Sequence, residues 1–273
     1  MTGLPLDPLS PIEARIARGL RHVDELEEEV ERYKRSGRRG PYRIDHVPDG
    51  DDWFLGKVRV TRDPSPALGV VAGECVFQFS HALDNLLTAM VRLKDPSPRD
   101  RWPHWPYVTD RARWTDKVEH QWRGMLTPEH YDIVLREQPF NRDPDADFED
   151  WTVRDLVVWL RDLSNRDKHE AIHVGVVQPR QIGVAQEDSI IGFEWLYEPM
   201  TPLRTGLPLY RVKYLDPHIQ TTAMMIDPDV TFLVEPGIWI GVGAFRKMGD
   251  AVMDLVHEVA RTTPGFGHWM AGP

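Results

Sequence analysis

Residues 152–177, TVRDLVVWLRDLSNRDKHEAIHVGVV, contain the change of pattern that decides the fold. The stretch opens with a capping pattern from Thr152 to Asp155, which predicts the start of a helix. Apolar residues then recur at steps of three and four, at Leu156, Leu160 and Leu163. From Val174 a short run of β-branched residues predicts a strand. The sequence therefore predicts helices before this point and a β region after it.

The rest of the chain extends this division in both directions. Apolar spacing and turn residues predict helices at 10–37, 69–93, 110–122 and 127–139, a hairpin at 42–60, strands at 174–177, 190–197, 209–215, 223–226 and 230–234, and a last helix at 245–259. Because strands do not alternate with helices, a parallel sheet is disfavoured. We expect an α+β fold: a helical bundle with a β-hairpin insertion, followed by an antiparallel β region and a closing C-terminal helix.

The same pattern predicts how the chain is organised into domains. We assign the helical bundle to residues 1–173, with its hairpin at about 41–61. The β region and the last helix occupy 174–273. We expect these two parts to pack as one unit.

Composition limits the class of protein. The 273 residues include 33 Lys and Arg against 43 Asp and Glu, and the net charge of −10 disfavours non-specific wrapping of nucleic acid. The only cysteine, Cys75, cannot form an intrachain disulfide, which favours a reducing compartment. We find neither a secretory leader pattern nor a run of about 18 apolar residues. We therefore expect a cytoplasmic protein that does not enter a membrane.

The sharpest motif is H-E-x-x-H, formed by His169, Glu170 and His173. On one helix this spacing places two imidazoles on the same face for zinc, with the glutamate as general base of a metallohydrolase. The third ligand would come from a downstream glutamate: Glu187, Glu194 or Glu198. The strand-like run that follows predicts that the helix ends at the second histidine. The favoured interpretation is therefore two histidines at a helix end.

The same stretch carries Arg166 and His173 with six residues between them. This spacing is similar to the R-x(4–6)-H signature of the higher-eukaryote-and-prokaryote nucleotide-binding (HEPN) ribonucleases, helical bundles that cut RNA without metal, usually as dimers. The resemblance implies that Arg166 holds the scissile phosphate and that His173 acts on the 2′-hydroxyl or the leaving oxygen. His169 lies on the same edge of the predicted helix.

Two carboxylates lie where helical phase predicts burial. Asp167 shares the phase of the buried leucines of its helix, and Asp84 lies at the edge of the apolar helix 69–93. A buried carboxylate is costly unless it is paired or hydrogen-bonded. We therefore predict that Asp84 and Asp167 face each other, or share a basic or amide partner, in a polar pocket between their helices. A structural role is favoured over catalysis.

A polar stripe runs along the same helix: Glu74, Gln78, His81, Asn85, Thr88 and Arg92. If this row is functional, Gln78 and Asn85 belong to its binding site. The favoured interpretation is that the stripe is the solvent face of an amphipathic helix.

A basic cluster lies around the end of the first helix: Arg32, Lys34, Arg35, Arg38, Arg39 and Arg43. Such a cluster would suit RNA phosphates or an acidic partner. It would equally suit a solvated helix C-terminus, where positive charge is favourable, and this interpretation is preferred.

Several short motifs, taken in order, resemble a family of uncharacterised actinobacterial proteins. The matching pieces are GPYR at 40–43, ALD at 82–84, QPF at 138–140 and LSNRDKH at 163–169, where the family has GPYR, RSALDHL, LQPY and NIDKHR. The resemblance implies the fold described above, similar to HEPN bundles in its helical part. It marks as shared positions Asp84, Asp167, Lys168 and His169. It implies no activity, and this chain departs from the family at Gln78, Ser80, Asn85, Arg166 and Glu170.

These observations predict a metal-independent binding or interaction protein that needs no cofactor and forms an oligomer, for which a homodimer is the simplest form. A HEPN-type ribonuclease is the alternative, and a zinc hydrolase is the third hypothesis. The residues that distinguish these three hypotheses lie in the polar pocket expected around Asp84 and Asp167, or in the segment 166–173.

Overall fold

The fold is α+β, as the sequence predicts, and it includes one strand, Ile238–Gly241, that the sequence analysis does not predict. The structure is a computed structural model and describes residues 9–37, 40–50, 52–97, 103–143, 145–169, 172–177, 190–199, 201–215, 229–235 and 238–263. Its helices are α1 (Ser10–Lys34), α2 (Ala67–Lys94), α3 (Asp116–Met125), α4 (Pro128–Arg136), α5 (Val153–His169) and α6 (Val242–Thr262). Its strands are β1 (Tyr42–Pro48), β2 (Trp53–Val60), β3 (Val174–Val177), β4 (Ile190–Trp195), β5 (Pro208–Tyr214), β6 (Asp229–Glu235) and β7 (Ile238–Gly241).

The chain divides into two units, each of which is built from separate segments of the sequence. Unit 1 contains Met1–Glu25, Val70–Ile172 and Gly243–Pro273, and unit 2 contains Leu26–Gly69 and His173–Val242. The chain passes from unit 1 to unit 2 between Ile172 and His173. The hairpin lies in unit 2 with the later strands, and the last helix lies in unit 1.

Strand pairing explains why the hairpin joins unit 2. One sheet has the order β1-β2-β5-β4 and the other has the order β3-β6-β7, and every described pair is antiparallel. At the centre of the first sheet, Gly56 of β2 lies opposite Tyr210 of β5. A Cβ atom on Gly56 would lie 2.4 Å from the tyrosine ring. Only glycine therefore leaves room for this ring to lie over the neighbouring strand. The predicted strand at 223–226 lies outside the described residues.

The start of α5 is the one that the sequence predicts. Thr152 N donates to Asp155 Oδ2 at 2.8 Å, which is one half of a capping box. Arg154 N donates to Glu137 Oε2 at 3.2 Å, so a second carboxylate accepts from this helix end. Arg136, the neighbour of Glu137, binds both oxygens of Glu258 at 2.8 and 2.6 Å. This network therefore links α4 to both α5 and α6.

The ring of Phe79 packs closely against two helix glycines in the core of unit 1. It is fully buried on α2 and packs against Gly19 of α1 and Gly249 of α6. A Cβ atom at Gly19 would lie 2.4 Å from the ring, and one at Gly249 would lie 2.8 Å from it. Side chains in close-packed cores do not approach this closely. Both helices can therefore contact the ring only because both positions are glycine.

His130 of α4 is buried against the end of α6. Its Nε2 lies 2.8 Å from Thr263 Oγ1, and this hydroxyl donates to the Val259 carbonyl at 2.7 Å. A hydroxyl has one hydrogen to donate, so Thr263 accepts from Nε2–H, which leaves Nδ1 unprotonated. Nδ1 is buried without a hydrogen-bond partner among the described residues. Burial lowers the pKa of His130, and the charge of Glu129 opposes this effect only in part.

Within the described ranges, none of the helices combines the length and the apolar character that a membrane crossing requires.

Gly249→Ala should lower the free energy of unfolding by about 1–3 kcal/mol, because the added methyl overlaps the Phe79 ring. Gly243→Ala is the matched control on the same helix, since a Cβ there meets nothing within 4 Å. It should be neutral or slightly stabilising. Urea unfolding measures both effects, and equal destabilisation by the two variants would contradict the close contact.

Stability should also depend on the protonation of His130. In the unfolded chain the imidazole titrates near a pKa of about 6.5, whereas the folded protein binds this proton less well. The free energy of unfolding should therefore hold above about pH 6.5 and fall as the pH drops below it. His130→Gln should reduce the difference in unfolding free energy between pH 7.5 and pH 5.5. An unchanged difference between the two pH values would show that His130 does not resist protonation. Burial also lowers the pKa of His46, but this histidine is present in both proteins and its contribution cancels in the comparison.

Candidate functional site

Asp84 of α2 anchors the loop at residues 103–110. Its Oδ1 accepts from Trp105 N at 2.8 Å, and its Oδ2 lies 2.7 Å from His104 Nδ1. The Trp105 side chain is buried. The carboxylate therefore fixes the loop at the point where the indole enters the core, and both of its oxygens are occupied by the protein itself.

His104 and Tyr107 complete this polar cluster. Because a carboxylate accepts hydrogen bonds, His104 Nδ1 carries the proton and the ring presents Nε2, on a side chain that is 84% exposed. Tyr107 shares a hydrogen bond with Ser80 at 3.4 Å, and its carbonyl accepts from Arg161 Nη1 of α5 at 3.3 Å. Burial raises the pKa of the Tyr107 hydroxyl, so the phenol stays neutral. The cluster has the geometry of a loop anchor that exposes one imidazole.

Asp84 and Asp167 do not meet, so the predicted pairing is wrong. Asp167 lies against Gly73, where a Cβ atom would be 2.2 Å from Oδ1. Gly73 precedes Asp84 by eleven residues on α2, which is about 16 Å along a helix axis. Asp167 is also exposed, because it stands near the end of α5 where helical phase no longer ensures burial. Its remaining burial and the charge of Glu74 raise its pKa.

The other residues expected in the pocket do not gather around Asp84. Gln78 is buried, and its Oε1 accepts from Arg15 Nη1 of α1 at 3.4 Å. Asn85 is half-buried. The side chains of Lys168 and His169 lie outside the described part of the chain.

The H-E-x-x-H segment spans the end of α5. The helix ends at His169, Glu170 lies outside the described residues, and His173 lies beyond the helix, directly before β3. The two histidines do not occupy successive turns of one helix, which is the arrangement that the zinc motif requires. Among the described residues, no group of three His, Cys, Asp or Glu side chains could hold a metal ion.

The residues of the ribonuclease signature fall in different units. Arg166 is half-buried on α5 in unit 1. His173 is exposed and opens the β segment of unit 2, where its carbonyl accepts from Leu233 N at 3.0 Å. The signature therefore spans a helix end and the start of a sheet.

The basic cluster at the end of α1 is paired with acidic side chains. Arg32 pairs with Glu29, and Arg35 pairs with Glu31 at 3.1 Å, one helical turn away in each case. Lys34 pairs with Asp229 of β6 at 3.0 Å, while Arg38 and Arg39 lie outside the described residues. Arg32, Lys34 and Arg35 are thus paired within the protein, whereas Arg43 is exposed on β1.

Unit 2 contains an open cavity with a volume of about 970 Å³, which lies between the second half of α1 and the segment that leads to α2. We call it the charged cavity; residues from 27–36 and 62–68 line it. Tyr33 and Leu68 are its buried lining residues, and five acidic and three basic side chains form the rest of its charged wall. Among the described residues, the side chains of Glu28, Arg62 and Asp63 have no hydrogen-bond or ion-pair partner.

A buried tyrosine pair positions one wall of the charged cavity. The Tyr33 hydroxyl donates to the Arg62 carbonyl at 2.9 Å and therefore accepts from the Tyr42 hydroxyl. Burial raises the pKa of both hydroxyls, so both keep their protons. This pair holds Arg62 beside α1. Sequence reasoning missed this wall, since the proline-containing segment that follows β2 indicates only a break between elements.

Comparison with known proteins gives no family, since no family model, no curated protein and no solved structure matches the chain.

Asp84→Ala should lower the free energy of unfolding by about 1–3 kcal/mol, because Trp105 N loses its acceptor. Backbone hydrogen exchange over residues 103–110 should become faster. His104→Ala is the control: it removes only the exposed partner and should cost less than about 1 kcal/mol. Unchanged exchange in Asp84→Ala would contradict the anchoring role.

Proposed function

We propose that this chain is a metal-independent binding protein whose ligand occupies the charged cavity. The observation that carries the proposal is a cavity of about 970 Å³ whose wall holds charged groups that have no partner in the described part of the chain. Binding pockets of about 300–1,000 Å³ are typical of small ligands. Polar groups that protein contacts leave unpaired are available to orient such a ligand.

The unpaired groups define the chemistry of the ligand. Glu28 and Asp63 suit a cationic group, and Arg62 suits a carboxylate or a phosphate. The buried faces of Tyr33 and Leu68 suit an apolar part. A short peptide segment of mixed charge combines these three features, and we propose this class of ligand.

A nucleic-acid ligand fits the cavity less well. The other two arginines of the wall, Arg32 and Arg35, already pair with glutamates of α1. An RNA backbone would have to displace these carboxylates and approach the unpaired Glu28 and Asp63. The phosphates would be repelled by these carboxylates, so the wall favours a ligand of mixed charge over a polyanion.

Three further parts of the proposal rest on sequence. The single Cys75 supports a cytoplasmic location, because proteins of reducing compartments rarely contain disulfides and this chain cannot form an intrachain one. The shared motifs at 82–84 and 163–169 support kinship with the actinobacterial family. The same resemblance supports a HEPN-like character for the helical part.

Fluorescence anisotropy tests the proposal with three labelled hexapeptide pools of positive, neutral mixed and negative net charge, and with labelled oligouridine, all in EDTA. The neutral mixed pool should bind most tightly, because it alone satisfies both signs of the wall. Arg62→Ala and Asp63→Ala should each weaken this binding by about tenfold or more, the change expected on removal of one charged partner.

Arg59→Ala is the matched control, since Arg59 pairs with Asp45 at 2.6 Å and does not line the cavity. Its affinity for the mixed pool should equal that of the wild-type protein. Absence of peptide binding, or binding that Arg62→Ala leaves unchanged, would contradict the proposal. Cleavage of RNA in EDTA that Arg166→Ala abolishes would favour the ribonuclease alternative instead.

A further inference from the structure

One outward face of α2 carries apolar and charged side chains together. We call it the α2 stripe: Val70, Glu74, Phe77 and His81, spaced three and four residues apart on one side of the helix. Val70 is 60% exposed and Phe77 is 40% exposed, and Glu74 is exposed between them. The rings of Phe77 and His81 are in contact, with centroids 4.1 Å apart and planes tilted by 35°. This aromatic pair next to an exposed valine is more apolar than a solvated helix face requires.

The two ends of the α2 stripe differ in chemistry, because one holds carboxylates and the other an imidazole. Asp167 reaches α2 at Gly73, beside Glu74, and has no hydrogen-bond or ion-pair partner among the described residues. One end thus holds two carboxylates. At the other end, His81 Nδ1 donates to the Phe77 carbonyl at 3.0 Å, which leaves Nε2 for a different partner. A protonated imidazole donates a charge-assisted hydrogen bond from Nε2 to a carboxylate.

We propose that the α2 stripe pairs two copies of this chain, with their α2 helices antiparallel. Glu74 lies three residues before Phe77 and His81 lies four residues after it, about 4.5 and 6 Å along the axis. A two-fold axis near Phe77 therefore places the carboxylate end of each copy opposite His81 of the other. Phe77 then packs against the same residue of the second copy. A parallel pair would instead place the carboxylates of the two copies together.

This surface is self-complementary, which is the condition for a closed two-fold dimer. A single helix-to-helix contact is small, and interfaces below about 1,200 Å² are typical of weak, reversible complexes. The dimer should therefore form and dissociate with protein concentration. The proposal is independent of the ligand in the charged cavity, because it uses none of the residues that line it.

Cysteine cross-linking tests the antiparallel arrangement. Cys75, the native thiol, is fully buried and its pKa is raised to about 12, so it supplies little background. Phe77→Cys should form a disulfide-linked dimer on mild oxidation, since the axis places this position against itself. Val70→Cys, which is more exposed, should form at least about tenfold less of the disulfide-linked dimer, because position 70 lies opposite position 84 of the second copy. Equal cross-linking by both variants would overturn the antiparallel pair.

Charge substitutions at one position test the end-to-end complementarity by sedimentation velocity. His81→Glu places a carboxylate opposite Glu74 and Asp167 and should raise the dissociation constant by at least about tenfold. His81→Lys places a cation opposite these carboxylates and should leave the dimer intact. Leu215→Glu, at an exposed leucine that is not part of the α2 stripe, should leave it unchanged.

Three results would overturn the proposal. They are a wild-type protein that stays monomeric up to high micromolar concentration, a dimer that His81→Glu leaves unaffected, and a dimer that Leu215→Glu weakens as much. A monomer would mean that the α2 stripe is the solvent face that the sequence favours. Circular dichroism checks that each variant retains its helices.

Discussion

The helical unit depends on the contact of one aromatic ring with two glycines. Phe79 is fully buried between Gly19 and Gly249, so the separations of α1, α2 and α6 are set by ring thickness rather than by interlocking side chains. This contact also fixes the rotation of α2 about its axis. With Phe79 turned inward, Phe77 and Glu74 must point outward, and Asp84 is left at the edge where the loop at 103–110 joins the helix. Core packing therefore determines which polar groups of α2 are available for function.

The sequence was sufficient for the fold class because helical periodicity is a local signal. The capping pattern at Thr152 and the leucines that follow predict where α5 starts, and the structure shows the cap. The membership of the hairpin was not predictable, because β2 pairs with β5, more than 140 residues later. Nothing in either strand alone specifies that partner. The same limit applies to Gly56: the need for glycine there is explained only by the ring of Tyr210, which lies over it in the paired strand.

The candidate site was predicted only in part, for related reasons. Helical phase identified Asp84 as an internal hydrogen-bonding residue, yet its partners come from a loop that has no periodicity. Phase failed for Asp167, because the end of a helix can extend past the core that buries its middle. The charged cavity was missed since it depends on a tyrosine pair that brings the segment after β2 to α1. The basic cluster was recognised, but its neutralisation by neighbouring glutamates becomes clear only from side-chain geometry.

The central claim is that the charged cavity of unit 2 binds a ligand of mixed charge. The most direct measurement is a titration of ¹⁵N-labelled protein with the neutral mixed peptide pool, followed by amide chemical shifts. The account predicts saturable shifts concentrated at residues 27–36 and 62–68, which line the cavity. Shifts that are absent there, or that concentrate around Arg166 and His173 instead, would contradict it.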